Sequence, residues 1–521
     1  MATWDEELAE IERRRAFAHG MGGEERVARQ HDNGRLTVRE RIDRLVDPGS
    51  WQEVGTFTGV AAYDEHGALA GVTPANMVTG QGRVGGERVV VCGDDFTVRG
   101  GAADAAIHAK QVRMEQAALA LRVPIVRLID GTGGGGSVKS LADHGRTYVP
   151  ENPGWEHVVA NLAAVPVVAL ALGPVAGLGA ARLVTSHISL MVKEISQVFV
   201  AGPAVVEAGM RELVDKEGLG GWELTARAGS VDLVVDSEDD AFALTRRLLT
   251  YLPRSVWHLP ARGPVTDDAG RRDEALRDAI PRERRSPYDV RAILSTVFDA
   301  GSVIELGRRY APSTVTALAR LDGWPVAVLA SDPRVYGGGL TAEGSDKMTR
   351  FVDLADTFHL PVVHLVDQPG FVIGTAAEKA ATIRRGSRAL AAVYQSSVPW
   401  ASVLLRRVYG VAGAAHRPAH RWTYRVAWPS GDWGSLPIEG GLEVAFKRVI
   451  AEAGEEGERR KAEIAEQLEA VRSPFRTAEA FLVEEIVDPA DTRPLLVDWV
   501  RGAYDVLATS TLGPSARAMR P

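Results

Sequence analysis

The strongest constraint on this chain is that it carries one pattern twice. Gly100-Gly101, Lys110 and the run Pro124–Asp130 (PIVRLID) return as Gly337-Gly338, Lys347 and Pro361–Asp367 (PVVHLVD). The separation is 237 residues from Gly101 to Gly338, from Lys110 to Lys347, from Pro124 to Pro361 and from Asp130 to Asp367. Further on, Pro166–Ala181 matches Pro399–Ala414 at a separation of 233, so the second copy has lost four residues in between. Several spacings agreeing at once mark a duplication. A repeat of this length is a pair of domains rather than a solenoid array.

Each copy reads as α/β. From about 80 to 250, the short runs Arg88–Val91, Pro124–Asp130, Pro166–Leu172 and Ser189–Lys193 alternate with helical patterns and Gly-rich turns, as βα crossovers require. The alternation resumes from about 300 to 450. Residues 253–290, rich in Pro, Arg and Asp and without periodicity, read as the linker, which puts the two domains at 1–260 and 261–521. Residues 2–30 read as a charged helix ending near the Gly20–Gly23 cluster. Leu36–Asp47 reads as a helix stopped by Pro48-Gly49, and 452–471 as a solvated surface helix.

Composition narrows the partners. Apolar residues are 45% and charged residues 25% of the chain, which supplies a core of ordinary size. The formal charge of −8, with Lys and Arg dispersed, argues against nucleic acid but leaves room for a local basic pocket. Cys92 is the single cysteine, so an intrachain disulfide and a multi-cysteine zinc site are excluded. It sits in the run Val89–Cys92 and reads as a buried small apolar residue. The N-terminal segment has no apolar signal region and no run approaches the roughly 20 residues that span a bilayer, so a cytoplasmic protein is expected.

Each copy presents two Gly-rich turns directly after an apolar strand. They are Gly131–Ser137 and Gly173–Ala181 in the first, Gln368–Gly374 and Tyr409–Ala414 in the second. Glycine there permits positive φ and close approach of a ligand to the backbone. Where a helix follows, its first amides are unpaired and can hold a developing oxyanion. The plainer alternative is that these glycines only permit tight turns; their occurrence at matching places in both copies favours the functional reading. No phosphate-cradling Gly-Lys-Ser/Thr loop, no GxGxxG after the first strand, no HExxH and no GxSxG elbow is present. His108, His144, His187, His364 and His416 are scattered, and Asp130 and Asp367 read as residues that fix the turn after their strands. Two oxyanion-type turns without an evident acid, base or metal point to a substrate that brings its own base.

With these features in place, the sequence resembles the carboxyltransferase (β) subunits of biotin-dependent acyl-CoA carboxylases, such as propionyl-CoA carboxylase. The likeness runs from roughly 30 to 500. It is carried by LTVRERIDRLVDPGSWQEVG (36–55), DFTVRGG (95–101), VFVAGPAVV (198–206), GLGG (218–221), SPYDVR (286–291), VDQPGFVIG (366–374), AWPSGDWGSLPIEGG (427–441), SPFRTAE (473–479) and VDPADTR (487–493). It implies an α/β fold of two tandem crotonase-like ββα-superhelix domains. It also implies a hexamer whose sites pair the N-domain of one subunit with the C-domain of another.

The activity so implied moves a carboxyl group from carboxybiotin to the α-carbon of an acyl-CoA, through one oxyanion hole per substrate. Carried over by position, the acyl-CoA hole falls at Gly177, Leu178 and Gly179, and the biotin hole at Gly410, Val411 and Ala412. Gly134, Gly135, Gly136, Lys110 and Arg39 are implied on the acyl-CoA side, with Arg113 a further basic candidate. Gly337, Gly338, Phe371 and Gly374 are implied on the biotin side. Many members carry a second Gly where this chain has Leu178 and Val411. The N–H survives that change but positive φ becomes costly, so the holes must use a geometry that L-residues reach. Ala414 stands where such enzymes often carry Asp. No Met-Lys-Met carrier motif or ATP-grasp region is present, so the resemblance implies a separate biotinylated α-subunit with carboxylase and carrier domains, and no metal on this chain. A malonyl-type thioester decarboxylase and an inactive scaffold are the alternatives.

Overall fold

A computed structural model describes residues 3–102, 105–131, 145–147, 149, 151–418, 421–515 and 519–520. The chain divides into two compact units, Met1–His258 with Gly513–Pro521, and Leu259–Leu512. Among the described residues the first unit holds β1 (Gln52–Glu53), β2 (Met77–Val84), β3 (Glu87–Asp94), β4 (Ile125–Gly131), β5 (Val167–Ala176), β6 (Ile188–Val192), β7 (Gln197–Phe199) and β8 (Leu233–Val235) in one sheet. Their order is β1-β2-β3-β4-β5-β6-β8, with β7 on β5.

The second unit repeats this strand for strand. It holds β9 (Ile304–Leu306), β10 (Thr314–Leu321), β11 (Trp324–Ser331), β12 (Val362–Gln368), β13 (Trp400–Tyr409), β14 (Thr423–Ala427), β15 (Asp432–Gly434) and β16 (Glu485–Ile486). The order is β9-β10-β11-β12-β13-β14-β16, with β15 on β13. Register is also kept, since Met77 pairs with Asp94 and Thr314 with Ser331, each shifted by 237.

The central strands are parallel and buried at every position of β4 and β12, which explains why their sequences are continuous apolar runs rather than alternating ones. Helices follow the strands: α4 (Ala105–Leu121) and α6 (Leu178–Val184) in the first unit, α9 (Ala342–Thr357) and α11 (Gly410–Ala414) in the second. Corresponding helices α3 (Val38–Leu45) and α8 (Val290–Val297) enter each unit. Thr37 caps α3 in a reciprocal box with Glu40, and Asp289 caps α8 through the amides of Arg291 and Ala292.

Unusual backbone recurs with the repeat. Arg99 and Tyr336 (φ +53 and +49) and Arg122 and His359 (φ +54 and +55) are left-handed non-glycine residues at matched positions. The N-terminal segment differs from the expected single helix: α1 (Asp5–His19) stops before Gly20–Gly23 and α2 (Glu24–Asp32) starts afresh, because Gly23 turns the chain at φ +93. The surface helix near the C-terminus is regular over α12 (Gly457–Val471), and α13 (Thr492–Ala508) covers the second unit's core with Leu496, Val500 and Tyr504.

Candidate active site

In the first unit, β5 runs through Ala176 into Gly177, which turns at φ +56 and opens α6. The Gly177 amide donates to the carbonyl of Val200 at 3.1 Å. That leaves the amides of Leu178 and Gly179, the first of the helix, without an intrahelical acceptor. In the second unit, β13 runs through Tyr409 into Gly410 at φ +59 and then α11. The left-handed residue in each turn is therefore the glycine. Leu178 and Val411 keep ordinary negative φ and present their N–H at no backbone cost. Val411 is 53% exposed, so its turn faces solvent.

A second turn accompanies each. Arg99, Gly100 and Gly101 (φ +53, +63, +70) follow β3, and Tyr336, Gly337 and Gly338 (φ +49, +61, +85) follow β11. The Phe371 segment joins the latter: Leu340 N–H donates to Gly370 O and Val372 N–H to Leu340 O, both at 3.0 Å. The structure thus sets Phe371 beside Leu340, two residues past Gly338. The Phe371 ring packs where Gly386 leaves room, since a Cβ there would stand 2.3 Å from it. Gly374 turns at φ +111 to open a short helix over Thr375–Lys379. Gly134, Gly135, Gly136 and His144 lie outside the described residues.

The basic candidates Arg39 and Lys110 are engaged inside the fold. Arg39 forks onto Glu53 (2.7 and 3.2 Å), and the second unit repeats this as Arg291 on Glu305. Lys110 Nζ donates to Met77 O at 2.6 Å, and Lys347 Nζ to Thr314 O at 2.6 Å. Burial pulls the Lys110 ammonium down to about 8. A contact present in both units serves the scaffold that both share. Arg113 is exposed on α4. The basic surface that sequence reasoning missed is a hollow of about 250 Å³ lined by Arg26, Arg29, Arg35, Phe96 and Arg99, next to Gly100. Of these, Arg29 meets Glu25 at 3.4 Å and Arg35 meets Asp130 at 3.3 Å. Its arginines are spread over 74 residues of sequence (Arg26 to Arg99), so no local motif announces it.

Asp130 and Asp367 end corresponding strands, both wholly buried, where a charge must be paired. Asp130 takes Arg41 (2.8 Å), itself shared with Glu238 (2.6 Å). Asp367 instead takes Arg406 and Arg407 from β13 and the hydroxyl of Tyr288. Burial pushes the Asp367 carboxyl upward, but hydrogen bonds and charge from Arg407 and Arg406 outweigh it and hold it below the usual range. The residue corresponding to Arg406 in the first unit is Gly173, where a Cβ would stand 2.0 Å from Asp130 Oδ1. Another buried pair, Arg127 with Glu115, lies behind α6 and was signalled only by an Arg inside the apolar run PIVRLID. Among the described residues no cluster of three metal-binding side chains occurs, and no helix is long and apolar enough to cross a membrane.

The carboxyl transferase domain model matches residues 29–502. A propionyl-CoA carboxylase carboxyltransferase subunit of Haloferax mediterranei is 31% identical over 95% of this chain and 95% of its own. The methylmalonyl-CoA decarboxylase subunit alpha of Veillonella parvula is 31% identical over 96% of each chain. Transcarboxylase 12S, solved as a hexamer with methylmalonyl-coenzyme A and methylmalonic acid bound, superposes with a TM-score of 0.87 at 30% identity, covering 100% of this chain and 99% of that one. This chain belongs to the carboxyl transferase domain family, and its two sheets are those of tandem crotonase-like domains.

Proposed function

We propose that the chain is the carboxyltransferase component of an acyl-CoA carboxylase, moving a carboxyl group from carboxybiotin to the α-carbon of an acyl-CoA. The observation that carries this is the twofold occurrence of one hole: a left-handed glycine followed by a helix whose first amides stay free. The first unit takes the thioester. Leu178 and Gly179 face its carbonyl oxygen and stabilise the negative charge that gathers there when the α-proton leaves. The second unit takes the biotin, and the amides of Val411 and Ala412 suit its ureido oxygen for the same reason. Carboxybiotin, when bound, supplies both the carboxyl group and the basic nitrogen that the turns do not offer. The Arg26, Arg29, Arg35 and Arg99 hollow beside Gly100 seats the coenzyme A phosphates. The working form is a cytoplasmic oligomer, a hexamer in keeping with transcarboxylase 12S, that meets a separate biotinylated α-subunit carrying the biotin carboxylase and carrier domains.

The Veillonella relative gives a second reading its specific support, decarboxylation of a malonyl-type thioester by the same fold. One assay separates them. The purified chain is mixed with the biotinylated subunit from the same source, ATP, labelled bicarbonate and a panel of acyl-CoAs. Label fixed on a thioester in an ATP-dependent way is the expected result. Release of CO₂ from methylmalonyl-CoA without any fixation favours the decarboxylase, and neither activity in a stable oligomer favours a scaffold.

A further inference from the structure

We propose that Arg407 is the positioning residue of the biotin-side turn, holding Gly337 in the shape the second site needs; this rests on the reading of the second unit as the biotin side. Tyr336, Gly337 and Gly338 are three left-handed residues in a row. Such a conformation costs energy at Tyr336 and lasts only where its surroundings enforce it. Arg407 Nη2 donates to Gly337 O at 2.7 Å. Its guanidinium is fixed in turn by Asp367, through Nε to Oδ1 at 2.7 Å and Nη2 to Oδ2 at 2.9 Å. A Cβ placed on either Gly337 or Gly338 would meet an Arg407 nitrogen at 3.7 Å, so the guanidinium lies against both glycines of the turn.

The first unit supplies an internal comparison. Its turn is packed directly on the neighbouring strand β4, since a Cβ on Gly101 would stand 2.4 Å from Asp130 O. On Gly338 the same distance, to Asp367 O, is 3.2 Å. The second turn stands farther from β12 than the first does from β4, and the side chain of Arg407 ties it to Asp367 of that strand. The residue corresponding to Arg407 is Pro174, which has no donor to offer. Arg407 lies on β13, three residues before Gly410. One side chain therefore ties the Gly337 turn to the strand that opens the other turn of its unit.

The test has two arms on the full chain. Amide hydrogen exchange is compared between wild type and Arg407→Met in peptides covering 333–341 and 96–102. Exchange in the first is expected to rise at least tenfold and in the second to stay unchanged. Transfer of labelled carboxyl from methylmalonyl-CoA to free biotin then gives a KM for each substrate. KM for biotin is expected to rise at least fivefold with KM for the thioester within twofold, and Arg407→Lys, which keeps one donor, is expected to recover most of the loss. Arg407→Lys also carries the exchange arm if the Met variant does not fold, with a smaller rise expected. Unchanged exchange at 336–338 in a folded variant overturns the proposal, as does an equal change in both KM values. A wild-type chain that transfers nothing speaks against the proposed function, and the exchange arm still decides the brace.

Discussion

At the scale of the residue, the holes depend on which side chain bears the positive φ. Gly177 and Gly410 do, and Leu178 and Val411 do not, so the bulkier residues alter neither the backbone nor its donors. The sequence located these positions but not their dihedrals, because a Gly-Leu step is compatible with the left-handed residue falling on either side. Substitution at the glycines separates strain from crowding. Gly410→Ala has room, its nearest contact being Ser435 O at 3.4 Å, so it should lose only the cost of a left-handed alanine, about 1–2 kcal/mol. Gly101→Ala adds a 2.4 Å collision with Asp130 O to the same strain and should lose clearly more. Urea unfolding of both variants checks the order, and equal losses would show that the backbone contact at Gly101 relaxes freely.

At the scale of the element, the two units solve one problem differently. Behind the first hole, Arg127 on β4 pairs with Glu115 and donates to Thr185 O just past the end of α6. The corresponding residue on β12 is His364, near His416 past the end of α11. Burial, with the neighbouring His416, takes His364 down to about 3. Burial likewise takes His416 to about 4, against a raising hydrogen bond to Gly413 O. Both rings are neutral in the folded protein. As pH falls below 6.5 the unfolded chain binds protons that the folded chain refuses, so stability drops from about pH 6.5 toward pH 4 and 3. Each ring adds a slope approaching about 1.4 kcal/mol per pH unit. Thermal melting between pH 7.5 and 5 should therefore fall less steeply in His364→Leu than in wild type; parallel profiles would place the acid sensitivity elsewhere. These histidines read as scattered in the sequence, because their proximity arises from strand pairing across the sheet rather than from spacing along the chain.

At the scale of the molecule, the repeat was legible because duplication leaves its record in spacing, and strand order and register follow the same separations. The inward contacts of Arg39 and Lys110 were not legible, since a cation that pairs inward and one that faces a phosphate look alike in sequence. Nor was the return of Gly513–Pro521 to the first unit, where Met519 is buried; a short tail packed at long range has no periodicity to announce it. The central claim is that each copy serves one substrate. Leu178→Pro and Val411→Pro test it, because proline is tolerated in the first turn of a helix while deleting the amide in question. Two rates are read in each variant: carboxyl transfer from methylmalonyl-CoA to free biotin, and CO₂ release from methylmalonyl-CoA without biotin. Leu178→Pro should lose about 10²–10³-fold in both, and Val411→Pro the same in transfer alone. Loss of both rates in Val411→Pro, or full transfer in Leu178→Pro, would contradict the division of labour.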